Sequence, residues 1–222
     1  MPLLFKHYPS SESQIAVWHV QESTDELREL LNDPTEFDAL ISTIKLESRR
    51  SEKLAVRLLL QKMLPFEDSA ISYDFYGRPT LIGPQEVAIS HSKGLVSVFL
   101  HKKKRIGLDI EHLRGLALRL YSKFASDIEK ESIDLLKTQE EREFAACLLW
   151  SAKESLYKWY GRKKVSFKEN LLVKLDVSQM RSGERSGTVD CIVRMEDADE
   201  KMVLDYFVFG QTVLTYCSQR SS

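Results

Sequence analysis

The stretch Arg105-Ile106-Gly107-Leu108-Asp109-Ile110-Glu111 alternates with a period of two. On a strand, Leu108 and Ile110 fall on one face and Asp109 and Glu111 on the other. The two carboxylates would then sit about 7 Å apart along the backbone. Acids this close repel unless a cation or a shared proton lies between them, and oxygen ligands suit a hard cation such as Mg²⁺. The plain alternative is a half-exposed strand whose outer face is acidic, and alternation alone does not separate the two. A second set lies in Trp150-Ser151-Ala152-Lys153-Glu154-Ser155-Leu156-Tyr157-Lys158. Trp150, Glu154 and Lys158 follow i, i+4, i+8 and share a helical face. Glu154 and Lys158 make either an ordinary ion pair worth about a few tenths of a kcal/mol, or a functional set. In the second case the carboxylate joins Asp109 and Glu111 around a metal, and the lysine reaches a phosphate bound to the same metal.

Phosphate-binding candidates lie upstream. Arg49, Arg50 and Arg57 fall in one helical stretch, and the spacing of Arg50 and Arg57 puts them on one face. Ser90-His91-Ser92 ends a strand just before Gly94, where a missing side chain lets backbone approach a ligand. Gly77-Arg78-Pro79 is a turn that fixes where an arginine points. Each also has a structural reading, as surface helix, turn cap and loop.

The elements that position these residues alternate in type. Strands are predicted at 3–8 and 14–20, a helix start at Ser23–Glu26, a helical stretch from Pro34 to Leu64, and short strands at 71–76, 80–82, 87–90 and 95–100. The acidic strand follows. Helices are then predicted at 116–125, 127–136 and 139–161, two of them opened by capping-box spacings, Ser126 with Glu129 and Thr138 with Glu141. Strands near 171–177, 188–195, 201–208 and 211–217 finish the chain. The order implies an α+β protein of two similar lobes, 1–108 and 109–222, a pseudo-duplication with its active site at the lobe junction, where clefts form.

Composition narrows the function classes. The 222 residues carry 32 basic and 33 acidic side chains for a net charge of −1, which gives no general case for nucleic acid or membrane binding. Two basic segments, 101–105 and 162–164, suit a phosphate ligand or an acidic partner as well as solvent. Cys147, Cys191 and Cys217 are odd in number and lack metal-site spacing, so neither a disulfide framework nor a zinc site is expected. No apolar run reaches membrane-spanning length, and the expectation is a cytoplasmic, reduced protein.

Taken in order, Gly77-Arg78-Pro79, Ile89-Ser90-His91-Ser92, Ile106-Gly107-Leu108-Asp109-Ile110-Glu111 and the Trp150–Lys158 segment resemble the 4′-phosphopantetheinyl transferase superfamily. The length resembles its pseudo-dimeric, two-lobed type. The likeness spans roughly residues 49–175 and elsewhere extends only to layout. It implies transfer of 4′-phosphopantetheine from coenzyme A to a serine of an acyl or peptidyl carrier protein, with release of adenosine 3′,5′-bisphosphate. It further implies Mg²⁺ held by Asp109, Glu111 and Glu154, with Glu154 the candidate base, or else Glu111 or a water. Lys158 would meet the pyrophosphate, and Arg78, Ser90, His91 and Arg50 (or Arg49, one residue away) the nucleotide end of coenzyme A. Lys153 is left to serve the fold. The partners implied are coenzyme A and a carrier protein, with no nucleic acid or membrane, for a monomer. Two competing readings are a catalytically silent relative that binds coenzyme A and a metal-dependent phosphoesterase. The scattered histidines count against the latter. The segment Gly161-Arg162-Lys163-Lys164-Val165 departs from the glycine-containing loop of many relatives.

Overall fold

The computed structural model describes residues 3–33, 37–113, 115–162, 165–178, 185–195 and 198–219. The chain divides into two compact units, Met1–Lys104 and Arg105–Ser222. The division runs ahead of the acidic strand, which belongs whole to the second unit.

In the first unit β1 (Leu3–Ser10) and β2 (Ser13–His19) form a hairpin, followed by α1 (Thr24–Glu29), α2 (Asp38–Ser42) and α3 (Glu47–Met63). A small hairpin of β3 (Ile71–Tyr73) and β4 (Pro79–Leu81) precedes β5 (Glu86–Ser92) and β6 (Leu95–His101). The main sheet has the order β1-β2-β6-β5, antiparallel throughout. Between β5 and β6 the chain turns on Lys93 and Gly94, at φ 46° and 73°. Two consecutive residues with positive φ make the tight turn whose twist matches the flanking strands. Ser23 and Glu26 cap α1 reciprocally. The helical stretch predicted from Pro34 to Leu64 is broken at Thr43–Leu46 into α2 and α3, and the carbonyl of Ile44 in the break accepts from Arg50 Nε at 2.6 Å. Pro65, which has no N–H to continue the ladder, follows the end of α3. Leu54, Ala55, Leu58 and Leu59 of α3 pack with Trp18, Val87, Val96 and Val98 in an apolar core.

The second unit opens with β7 (Ile106–His112), then α4 (Leu116–Phe124), α5 (Asp127–Asp134) and the long α6 (Gln139–Tyr160). Its sheet is completed by β8 (Leu171–Lys174), β9 (Ser186–Arg194), β10 (Asp199–Phe209) and β11 (Thr212–Ser218), in the antiparallel order β7-β11-β10-β9-β8. Both expected capping boxes form, Ser126 with Glu129 and Thr138 with Glu141. Gly161, at φ 69°, closes α6 in the left-handed conformation that side chains disfavour. Ala145, Leu148, Leu149, Ala152 and Leu156 pack with Val189, Val193 and Leu204. Both units are antiparallel sheets carrying one long helix, so the chain is α+β. All three cysteines are buried free thiols. Among the described residues no helix is long and apolar enough to cross a membrane.

Candidate active site

The site in the second unit starts from a missing side chain. A Cβ at Gly107 would lie 2.0 Å from the carbonyl oxygen of Ser155 and 2.9 Å from Cβ of Trp159, so only glycine lets α6 rest directly on β7. Two residues on, Asp109 faces the helix. The half-exposed acidic strand, the plainer of the two readings, does not form: Asp109 is 5 % exposed and Glu111 is half-buried, because α6 covers that face of the strand.

Burying a carboxylate is costly unless it is paired and hydrogen-bonded. Asp109 is both. Its Oδ1 accepts from Lys158 Nζ at 2.8 Å and its Oδ2 from Ser151 Oγ at 2.9 Å. Lys158 therefore reaches across to the strand, with its side chain 28 % exposed. Glu154, one turn before it, is half-buried. Its pKa is raised by burial first, then by the charges of Asp109 and Glu111, with Lys158 opposing. Among the described residues, however, no three His, Cys, Asp or Glu are grouped to hold a metal ion. The directions of the oxygens account for this in part: Asp109 Oδ1 is engaged by the lysine, and Glu111 Oε1 turns back to accept from the N–H of His112 at 2.8 Å.

The rest of the motif serves the core. Trp150 packs its ring on Phe124 and Phe167, with centroids 4.9 and 5.6 Å apart. Lys153 is fully buried and pairs with Glu129 at 2.7 Å while donating to the carbonyl of Phe167 at 2.6 Å. Glu129 in turn accepts from the N–H of Val173 and of Ser126. One ion pair so ties α6 to α5, to the turn before β8 and to β8 itself.

The candidates of the first unit fall into separate places. His91 lies beside Arg49, whose Nη1 is 2.9 Å from its Nδ1 and also binds Glu52 at 2.9 Å. Arg50, one residue on, points away to Ile44 and Glu47. On a helix a single step rotates the side chain by about 100°, and it is Arg49 that shares the histidine's side. Arg78 is paired with Glu86. Ser90 is buried, and its carbonyl accepts from Ser97. Arg57 lies over the ring of Phe37. In the first basic segment His101 Nδ1 accepts the N–H of Lys103 and of Lys104, both at 3.1 Å, which folds the run into a turn. Lys163 and Lys164 of the second lie outside the described residues.

Sequence reasoning did not find Gly107 as a contact, nor Ser151 or Glu129 as partners of charged groups. Ser151 and Ser155 follow the i, i+4 rule on the face next to that of Glu154, which was the available signal.

Comparison with protein-family models matches residues 105–215 to the 4′-phosphopantetheinyl transferase superfamily. Comparison with curated proteins gave no match. The matched segment contains Asp109, Glu111, Glu154 and Lys158, and it coincides with most of the second unit.

Proposed function

The chain belongs to the 4′-phosphopantetheinyl transferase superfamily, and from that premise we propose that it moves 4′-phosphopantetheine from coenzyme A to a serine hydroxyl of an acyl or peptidyl carrier protein. The observation that carries this reading is the buried Asp109 held between Ser151 and Lys158, with Glu154 close enough for its pKa to be raised, after burial, by Asp109 and Glu111. In the reaction the serine oxygen forms a bond to the β-phosphorus of coenzyme A. The P–O bond to the bridging oxygen breaks, adenosine 3′,5′-bisphosphate leaves, and the serine proton passes to a base.

The donor chemistry of the site fits Mg²⁺. All three candidates are hard oxygen ligands, the pKa of Glu154 is raised by burial first and then by Asp109 and Glu111, and a lysine ammonium already supplies a positive charge at Asp109. Asp109, Glu111 and Glu154 are the residues that would hold the ion. When bound it neutralises pyrophosphate charge and steadies the leaving group. Lys158, which donates to Asp109 Oδ1 in this structure, is the residue proposed to meet a pyrophosphate oxygen. Glu154, whose pKa is raised by burial and then by the neighbouring acids, is the proposed acceptor of the serine proton.

For the nucleotide end of coenzyme A the proposed residues are Arg78, Ser90 and His91, with Arg49 joining His91 in place of Arg50 on the geometry above. The test is intact-protein mass spectrometry of apo carrier proteins incubated with the enzyme, coenzyme A and Mg²⁺. A gain of about 340 Da, one phosphopantetheine, is expected. Unchanged mass across a broad panel of carriers, with coenzyme A binding intact, would make the chain a silent relative. Arg78→Ala should raise the KM for coenzyme A roughly tenfold and leave kcat nearly unchanged. A fall in kcat alone would remove Arg78 from nucleotide binding.

A further inference from the structure

Behind Asp109 lies a set of three hydroxyls that the proposed chemistry does not use. Ser151, Ser155 and Thr215 are each fully buried. Ser155 Oγ is 2.8 Å from Thr215 Oγ1, Thr215 Oγ1 is 2.9 Å from Ser151 Oγ, and Ser151 Oγ is 2.9 Å from Asp109 Oδ2. The two serines come from α6 and the threonine from β11, directly opposite Asp109 in the strand register. Thr215 also reaches the carbonyl of Ser151 at 2.9 Å, and Ser155 reaches the carbonyl of Thr215 at 3.0 Å.

The direction of this chain is set at one end. An ionised carboxylate can only accept, so the hydroxyl of Ser151 gives its single proton to Asp109. With its proton spent, Ser151 Oγ can only accept; the one proton of Thr215 is shared between Ser151 Oγ and the Ser151 carbonyl, and that of Ser155 between Thr215 Oγ1 and the Thr215 carbonyl. Hydrogen bonds aligned head to tail toward a charge polarise one another and strengthen the last of them. Thr215 and Ser155 also bridge the seam to main-chain carbonyls, whereas the hydroxyl of Ser151 is spent on Asp109, a bond that helix–sheet packing does not call for. Apolar side chains of the same size would pack there without a polar cost.

We propose that Ser151, backed by Thr215 and Ser155, is a positioning residue that holds the Asp109 carboxylate in the orientation in which its other oxygen is presented for charge pairing and cation binding. The inference rests on the transferase reading for its catalytic consequence and on geometry alone for its structural one. Ser151 touches no substrate. It fixes one oxygen of Asp109 so that Oδ1, which here meets the Lys158 ammonium, is the oxygen turned toward positive charge. Thr215 acts one step further back, and Ser155 two.

The experiment uses full-length protein and four variants: Ser151→Ala, Thr215→Val, Thr215→Ser and Ser155→Ala. Three readouts apply: Mn²⁺ binding by electron paramagnetic resonance, steady-state kinetics of carrier modification, and a crystal structure of Ser151→Ala. Ser151→Ala is expected to weaken Mn²⁺ binding and lower kcat by roughly tenfold or more, the size of a lost hydrogen bond to a charge, with the KM for coenzyme A within about twofold. The Asp109 carboxylate should be rotated in its structure. Thr215→Val should show a smaller loss of the same kind, Ser155→Ala a smaller one again, and Thr215→Ser, which keeps the hydroxyl, should match the parent. Thr215→Val is isosteric, so it keeps the test open should Ser151→Ala fail to fold by circular dichroism. If Thr215→Ser is as damaged as Thr215→Val, or if folded Ser151→Ala binds Mn²⁺ and turns over like the parent, the proposal is wrong. If the parent itself modifies no carrier, the transferase reading fails while the Mn²⁺ and crystallographic readouts still judge the positioning role.

Discussion

The two units solve one packing problem in opposite ways. Each lays a long helix on an antiparallel sheet. In the first unit the seam is apolar: Leu54, Leu58 and Leu59 of α3 meet Val87, Val96 and Val98. In the second unit the corresponding seam of α6 with β7 and β11 holds a carboxylate, a lysine and three hydroxyls, all hydrogen-bonded. Helix-on-sheet packing needs no polarity, as the first unit demonstrates. Buried polar groups are costly unless satisfied, and replacing them with apolar ones is often neutral or stabilising. The second seam buries its hydroxyls completely, whereas the polar contact of α3 with its sheet, Arg49 and Glu52 with His91, lies at an exposed histidine.

Removing the carboxylates should sharpen the contrast most. Asp109→Ala and Glu154→Ala are each expected to lower kcat by about 10²–10³ or more, with the fold kept by circular dichroism; a near-normal rate in either variant would take that residue out of the site. Next in size is the Lys153–Glu129 pair. Lys153→Met leaves Glu129 buried without its cation and should cost about 3–5 kcal/mol in urea unfolding, whereas the double variant Lys153→Met/Glu129→Gln should recover much of the loss. Equal losses in the single and double variants would mean that the two charges do not depend on one another.

In the first unit Leu58→Ala should cost about 2–5 kcal/mol through the cavity it leaves, while kcat per folded molecule stays at the parent value. A drop in kcat there would break the comparison. The smallest effect concerns Glu154 without metal. Its folded pKa lies above its unfolded one, so its contribution to stability is fully present at acid pH and is lost as pH rises through the raised value. In EDTA, Glu154→Gln should therefore melt above the parent at pH 8, with the gap closing toward pH 4. A parent more stable than the variant at pH 8 would show that the acids are not in conflict.

Much of this could be read in the residues. Period-two alternation located β7, and capping boxes at Ser126 and Thr138 located α5 and α6 to within a residue or two of their ends, because these signals are local and carry their own hydrogen bonds. What escaped depends on contacts distant in sequence. The burial of Asp109 follows from α6 lying across β7, Glu129 meets Lys153 through tertiary packing alone, and Thr215 faces Asp109 only once the strand register is set. Arg49 rather than Arg50 stands beside His91 because one residue of helix is more than a quarter turn. The break at Thr43–Leu46 was invisible to a periodicity that continues across it.

Gly107 carries a last consequence. Where two elements meet through side chains, rotamers can yield and absorb a shift. At Gly107 helix backbone rests on strand backbone, and there is nothing soft between them to deform. The strand bearing Asp109 and the helix bearing Glu154 and Lys158 are thereby clamped at one point into a single stiff body. Thermal fluctuation or the arrival of a ligand would carry that point of the strand and the helix along together rather than slide one past the other.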